Sequence, residues 1–363
     1  MTGARDISLP GSVPLLQVRR GGGVESIHRG SVAVVSEDGR LLAAAGDPRW
    51  PVFLRSAAKP VQLVPFLSGG GESRFGLSTE EIALAAASHG GEPFHTRLAA
   101  AMLARGGFTT ADLHCGAHPP MHEETARALA FHREEPSPLH NNCSGKHAAM
   151  LLACRLFGED SKTYWRPEHP LQKRILRALS SLAGVPAGRI GLAVDGCSVP
   201  AFRIPLANLA LLYARLEGAR LPGETRRAFA ARVRIVGAMT EAPEMVAGTG
   251  RFTTSLMRAF GGGLLAKEGA EGVYAVGASP ALTRALAGTS SVGIALKIED
   301  GAERGRDAVI VEVLRQLGLA SGARLATLRR LAPRPVKNVR GDIVGDMKAV
   351  FRLDRYTPGE RAE

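Results

Sequence analysis

The sequence predicts an α+β protein, a layered α/β/α domain with a mainly antiparallel sheet. Two observations carry that prediction. Short β-branched runs alternate with long Ala/Leu-rich stretches, without the strict strand–helix–strand rhythm of a doubly wound parallel sheet. Several of the short runs are also joined by turns too tight for a crossover helix, which makes their pairing antiparallel. With 363 residues, 45% of them hydrophobic and 22% charged, the chain can bury a full core without disulfide staples. At about 150 residues per domain it reads as one unit over residues 1–363. Two lobes intermingle within it, a helical part over roughly 75–260 set against a sheet formed by 15–60 and 265–355.

Ser31-Val-Ala-Val-Val-Ser36, the turn Glu37-Asp38-Gly39 and Leu41–Ala45 predict a β-hairpin. Thr79–Ala87 and Thr96–Arg105 predict helices, the first opened by Ser78 as cap and by Glu80 and Glu81 as an acidic first turn. The stretch 119–138, rich in His, Glu and Pro, is the expected irregular loop. His147–Phe157 and Leu171–Leu182 continue the helical pattern, the second introduced by Pro170. Ile190–Val194 is a short strand that ends in Asp195-Gly196-Cys197, and Asn208–Glu217 and Glu224–Ala238 are helices again. Glu271–Val276 and Ser291–Lys297 are expected as adjacent antiparallel strands, Arg304–Leu317 as a helix and Ile343–Leu353 as a last strand.

The composition excludes several classes. No uninterrupted apolar run approaches the roughly 18 residues of a membrane span. Four cysteines are too few for a disulfide scaffold. Met1–Gly11 carries Arg5 and Asp6 but no apolar stretch of an export signal, so a cytoplasmic, reducing setting is expected. Lys+Arg 46 against Asp+Glu 34 gives a net charge of +12. A nucleic-acid binder would gather that charge on one stripe and interleave aromatics. Here the arginines are spread along the chain. A dense group, Arg226, Arg227, Arg232 and Arg234, lies in an amphipathic helical pattern, and only 5% of residues are aromatic. Neither nucleic acid nor membrane is an expected partner. The charge fits a positive cleft that attracts small anionic or zwitterionic substrates.

Five short motifs could carry chemistry. In Arg55-Ser56-Ala57-Ala58-Lys59-Pro60 the proline is tolerated only in the first turn of a helix. A helix therefore starts within a few residues of Ser56, and Pro65 should end or kink it early. Ser56 and Lys59 then lie one turn apart on one face, and a desolvated lysine there can act as general base for the serine. Read alone, a capping serine followed by a surface lysine is the commoner meaning of Ser-x-x-Lys. Ala87-Ser88-His89-Gly90-Gly91-Glu92 presents a hydroxyl and an imidazole where an apolar helical run stops, and a plain helix C-cap accounts for it equally well.

His140-Asn-Asn-Cys143-Ser-Gly-Lys146-His147 sets polar and small residues before a helix. It fails as a phosphate loop, because no glycine stands at His140 and His147 replaces the Ser/Thr after Gly-Lys. Asp195-Gly-Cys197-Ser-Val-Pro200 turns sharply at a strand end, with a partly exposed thiol beside a carboxylate. Two cysteines in polar turns, Cys143 and Cys197, suit a soft divalent ion such as zinc, though plain burial explains isolated cysteines as well. Cys154 stands inside an apolar helix as a core residue, and Cys115 has no evident role. Lys267 and Glu268 read as part of a glycine-rich turn entering a strand.

In this order the blocks resemble a known family. Ser26-Ile-His28-Arg-Gly30, Arg55–Pro60, Ala87–Glu92, Asn142–His147, Asp195–Pro200, Lys267–Gly272 and Lys297-Ile-Glu-Asp-Gly301 are together similar to the Rhizobium etli-type L-asparaginases, the bacterial asparaginase II family. The likeness runs from about Val18 to Phe351. It implies a fold like that of glutaminases and serine β-lactamases, a homodimer, and hydrolysis of L-asparagine to L-aspartate and ammonia. It further implies two Ser-Lys tandems, Ser56 with Lys59 and Ser88 with Lys267 (Lys297 in reserve), with Ser56 favoured as nucleophile. Zinc is implied on Cys143, Lys146 and Cys197, where a ligating lysine must lose its proton. Arg55, His89 and Asp195, beside these motifs, are candidates for substrate binding. Two other classes compete. One is a different acyl-serine amidohydrolase, glutaminase-like or β-lactamase-like, although Ser-Asp-Asn and Lys-Thr-Gly are both missing. The other is a basic binding protein without enzymatic activity.

Overall fold

Val32, Ala33, Val34 and Val35 are buried, and the strand that carries them organises the sheet. In the computed structural model, which describes residues 11–288, 290–333 and 335–356, the strands follow in this order. They are β1 (Val13–Arg20), β2 (Gly23–Ser36), β3 (Leu41–Ala45), β4 (Pro51–Phe53), β5 (Gly191–Val194) and β6 (Pro200–Pro205). Then come β7 (Leu264–Glu268), β8 (Val273–Ala278), β9 (Val292–Ile298), β10 (Val336–Lys337), β11 (Ile343–Ala349) and β12 (Asp354–Arg355). β2 is 14 residues long. Its first half pairs with β1 across a turn at Gly21 and Gly22, where φ of 56° and 83° favours glycine. Its second half pairs with β3 and with β9. Among the described residues the main sheet runs β10-β11-β1-β2-β9-β8-β7, with β3 also on β2 and β12 on β3. Every pairing in it is antiparallel.

Side chains alternate between the two faces of a strand, yet every residue of β7 and β8 is buried. This part of the sheet is therefore covered on both sides, which is the layered α+β architecture expected from the sequence. The helix Leu206–Glu217 forms one cover. It comes so close that a Cβ added at Gly293 on β9 would stand 1.7 Å from the Ala210 carbonyl oxygen. The helix Glu303–Gln316 also packs on the sheet, against β9, β1 and β11.

A second, smaller sheet orders β4-β6-β5 and aims two functional segments. β4 leads directly into Arg55, and the turn between β5 and β6 carries Asp195 and Cys197, with Ser198 at a φ of 75°. Its strand β5 stands where the short strand Ile190–Val194 was expected, and β5 and β6 both fall inside the 75–260 stretch assigned to the helical lobe. The main sheet draws on residues 13–45, 264–298 and 336–355, with helices mostly between.

Some elements differ from expectation for identifiable reasons. The helix Lys59–Ser68 runs through Pro65 instead of ending there. The bond lost lies close to the helix end, and Val64, Phe66 and Leu67 around it are buried. The stretch 119–138 is not a plain loop, since Glu123–His132 is a helix whose first turn is capped by the His122 ring. Lys267 lies on β7, not in a turn, because Leu264, Leu265 and Ala266 make an apolar run that the sheet buries. The strand β1 and the helices Phe252–Phe260, Pro280–Ala287 and Gly322–Leu331 stand where no element was expected. The expected lack of an export signal in Met1–Gly11 falls, but for Gly11, outside the described residues. No helix among them is long and apolar enough to cross a membrane.

Candidate active site

Arg55 holds a φ of 48°, a left-handed conformation that costs a non-glycine residue free energy and concentrates at functional sites. It opens a short 3₁₀ turn, Arg55–Ala58, that passes into the helix Lys59–Ser68 with Pro60 in its first turn. Ser56 in that turn is partly exposed, and its side chain forms no hydrogen bond with a described residue. Lys59 is 1% exposed. Its Nζ donates to the Ala87 carbonyl oxygen, to Ser88 Oγ at 2.9 Å and to the Asn142 carbonyl oxygen at 3.2 Å. Those acceptors match the three protons of an ammonium group. The local pair expected between Ser56 and Lys59 is therefore not a hydrogen bond here. A buried charge takes the partners that compensate it best, and for Lys59 those lie deeper, on the Ser88 side.

Ser88 follows the helix Thr79–Ala85, and its backbone N–H is tied to the Val246 carbonyl oxygen at 2.9 Å. Its Oγ lies 2.9 Å from Lys59 Nζ and 2.8 Å from Lys267 Nζ. Lys267 is completely buried and also donates to the Glu268 carbonyl oxygen at 3.0 Å. Burial, reinforced by the charge of Lys59, pushes its amine well below the ordinary lysine range. A neutral Lys267 has a lone pair for the Ser88 O–H, while Lys59 donates to the same oxygen. The three groups form a directed chain from Lys59 through Ser88 to Lys267. The reserve lysine, Lys297, is elsewhere: its Nζ bonds the Glu271 and Ile298 carbonyl oxygens and lies 5.9 Å from the Trp50 ring centroid.

Cys143 caps the helix Ser144–Phe157, so Lys146 follows within its first turn. The β5–β6 turn delivers Cys197 to the same spot, with Lys146 Nζ 2.9 Å from its Sγ. The three side chains are buried, Cys197 included, contrary to the partial exposure expected of that thiol. The Cys143 Sγ donates to Asn142 Oδ1 at 3.2 Å, and the nearby Cys197 thiol first, then the charge of Lys146, pull Cys143 well below the ordinary thiol range against its burial. Burial opposes the charge on Lys146, but the two sulfurs outweigh it and raise its proton affinity. Two sulfurs and an amine nitrogen, dry and convergent, are a donor set that fits zinc once the lysine is deprotonated.

Of the substrate-binding candidates, Arg55 and Asp195 are brought together, with Arg55 Nη2 2.9 Å from Asp195 Oδ1. Burial works against the charge of Asp195, but Lys146 and Arg55 outweigh it and hold the carboxyl below its ordinary range. His89 is fully buried, and both its nitrogens are engaged, Nε2 with Ser144 Oγ at 2.9 Å and Nδ1 with the Gly91 N–H at 3.1 Å. That leaves its ring no contact to offer a ligand.

Cys154 is a core residue, as expected. With Glu159 and His169 it brings three potential ligand atoms within 4.8 Å of one another. Both His169 nitrogens are committed to backbone, however, Nδ1 to the Leu171 N–H and Nε2 to the Asp160 carbonyl oxygen. The trio reads as a helix cap beside a core thiol. Residues absent from the sequence-derived site are Asn142, whose carbonyl holds Lys59, and the partners of Glu268, namely Arg251 and Arg306. No spacing pattern could flag them, since their contacts join distant segments.

The family model described as L-asparaginase II matches residues 16–349. The chain has a mixed α+β architecture built around an antiparallel sheet. It belongs to the L-asparaginase II family, a placement that bears out the likeness read from its motifs. No curated protein matches it. Among solved structures it is similar to Mglu, at 18% identity and a TM-score of 0.42, covering 81% of this chain and 68% of that one. The glutamate form of Mglu gives 17% and 0.40, and there the chain spans 61% of the other's length. A probable glutaminase from Bacillus subtilis gives 15% identity and a TM-score of 0.36, covering 80% of this chain and 88% of that one. At such scores the likeness carries no residue roles across.

Proposed function

We propose that this protein hydrolyses the side-chain amide of L-asparagine to L-aspartate and ammonia through an acyl-serine intermediate. The observation that carries the reading is the chain Lys59–Ser88–Lys267, in which one hydroxyl lies between two buried amines within an L-asparaginase II chain. A proton passed from Lys59 to Ser88, while Ser88 passes its own to Lys267, leaves Lys59 neutral. Lys59 is then the base for Ser56, one turn before it. Ser56 is the more exposed of the two serines and follows the strained Arg55. It attacks the amide carbon, its proton goes to Lys59, and that proton returns to the leaving nitrogen as ammonia departs. Water then cleaves the ester, releasing aspartate and restoring the Ser56 hydroxyl.

Arg55 and Asp195 would hold the α-carboxylate and α-amino group, exchanging their mutual ion pair for a substrate that presents the opposite charges. Cys143, Lys146 and Cys197 would hold zinc, which when bound would organise the substrate-binding wall, the two thiolates offsetting the charge of the ion. Four free cysteines fit a cytoplasmic enzyme, and we take the working unit to be a homodimer. The test is ammonia release from L-asparagine and L-glutamine side by side, by wild type, Ser56→Ala and Ser88→Ala. Release from asparagine that Ser56→Ala reduces by orders of magnitude is expected. Ester-trapping at Ser88 in place of Ser56 would reverse the two serine roles, and equal turnover of glutamine would make the enzyme a general amidohydrolase.

A further inference from the structure

Glu268 lies next to Lys267 on β7, with successive side chains on opposite faces, so its carboxylate lies behind the lysine. It is 6% exposed, and a lone carboxylate at that depth is strongly disfavoured. Two arginines compensate it: Arg251 Nη2 at 3.0 Å on one oxygen and Arg306 Nη2 at 3.2 Å on the other. Thr253 adds a hydroxyl at 3.4 Å and is itself bonded to the Tyr274 hydroxyl at 2.9 Å. Arg306 is 2% exposed and is held from its own helix by Asp307 at 3.0 Å. The clamp thus ties β7 to two segments, the cap and first turn of the helix Phe252–Phe260 and the helix Glu303–Gln316. The Glu268 carbonyl, on the same residue, accepts from Lys267 Nζ at 3.0 Å.

We propose that Glu268, clamped between Arg251 and Arg306, is a positioning residue that sets Lys267 against Ser88 and tunes its readiness to take the Ser88 proton. This rests on the reading of Lys59–Ser88–Lys267 as a proton chain. The geometry gives the clamp two actions. Anchoring the carboxylate fixes the Glu268 backbone, and hence the carbonyl that orients the Lys267 amine. The charge of the clamp also acts on Lys267 at short range. The groups facing that amine are Lys59 and Cys143 from the helical side, and Glu268 and Arg306 from behind. Glu268 favours a proton on Lys267, and Arg306 and Lys59 oppose it. Burial works against the Glu268 carboxylate, but Arg251, Arg306 and Lys267 outweigh it and hold the carboxyl below its ordinary range.

The test is the pH dependence of asparagine hydrolysis by the full chain and two variants. Glu268→Gln keeps the shape of the side chain and removes its charge. It is expected to lower kcat about 10-fold with KM nearly unchanged, and to move the acid limb of kcat/KM toward lower pH by roughly half a unit or more. Arg251→Gln removes the partly exposed arginine and leaves the Glu268 charge less compensated. It is expected to move the acid limb the other way, to higher pH, and it keeps the question answerable if Glu268→Gln does not fold. Opposite shifts are an electrostatic signature that a merely structural role does not produce. Folded variants whose acid limbs coincide with wild type, or shift in the same direction, overturn the proposal. If Lys267→Met and Ser88→Ala retain wild-type kcat, the proton chain itself has failed, and the two failures are told apart.

Discussion

Lys267 and Ser88 are 179 residues apart in sequence, and their Nζ and Oγ atoms lie 2.8 Å apart. The contact closes a second tandem between the buried edge strand β7 and the end of a helix, and it gives the hydroxyl a buried amine as acceptor. Because Lys267 cannot reach water, its protonation state is set by the protein and not by bulk pH alone.

Lys267→Met keeps the length and removes the amine. Loss of a positioned proton acceptor is expected to lower kcat by about 100-fold or more with little change in KM. Steady-state ammonia release checks this, with a thermal melt on the same sample. Wild-type kcat from a folded variant would remove Lys267 from the proton chain.

The local half of this site was legible in the sequence, and the distant half only by likeness. Ser56, Lys59 and Pro60 declare a helix start, because proline leaves few places for one. Their spacing, though, could not show that Lys59 turns its ammonium toward Ala87, Ser88 and Asn142. Side-chain direction at i, i+3 offers a shared face, and tertiary partners decide who is met on it. Lys267 looked like a solvated turn lysine because Gly269 and Gly272 follow it. The apolar Leu264–Ala266 run before it was the stronger signal, and a five-residue strand is too short for periodicity to reveal. Cys143 and Lys146 share one helix end and read well together. Cys197 joins them only through the turn of the small sheet.

Zinc should be lost from Cys143→Ser and from Cys197→Ser, since each removes one of two sulfur donors. Metal analysis is expected to find about one zinc per wild-type chain and almost none in either variant. Binding should also weaken toward acid pH, because Lys146, whose proton affinity is raised, must release its proton to ligate. A wild-type protein purified without chelator and free of zinc would dispose of the ligand set.

Stability should fall as pH drops below neutral. His89 and His147 are fully buried, and burial first of all holds each well below the ordinary histidine range. The unfolded chain takes up protons on both near pH 6.5 while the folded one does not, so the unfolded state gains free energy from acid. Each contributes up to about 1.4 kcal/mol per pH unit below that value. Denaturant midpoints at pH 7.5, 6.5 and 5.5 should decline in that order, and a flat profile would count against neutral burial of these rings.

Gly293→Ala should disrupt the contact of the helix Leu206–Glu217 with the sheet. The new Cβ meets the Ala210 carbonyl oxygen at 1.7 Å and the Ala214 nitrogen at 2.6 Å, both backbone atoms that cannot rotate away. Helix displacement is expected to cost about 2 kcal/mol or more. Equilibrium unfolding measures it, and an unchanged midpoint would mean that the helix is seated less tightly than described.

The pairing of Arg55 with Asp195 makes a sharper prediction about recognition. In the free protein the two charges satisfy each other at 2.9 Å, with side-chain exposures of 27% and 15%. A substrate bearing both an α-amino group and an α-carboxylate can replace that pair without leaving either charge alone. A substrate with only one of them strands the other residue. Asparagine lacking its α-amino group (3-carbamoylpropanoate) should therefore be hydrolysed with kcat/KM reduced by about 100-fold in wild type. Asp195→Asn removes the charge that such a substrate strands, so its discrimination between the two amides should shrink to about 10-fold or less. Arg55→Gln should show the mirror pattern with 3-aminopropanamide, which lacks the carboxylate. The measurement is a two-by-two comparison of kcat/KM for each residue and each deleted group. Coupling near zero in both cycles would place the substrate's charged ends elsewhere and leave Arg55 and Asp195 as an ion pair that holds the β5–β6 turn against the start of the Lys59–Ser68 helix.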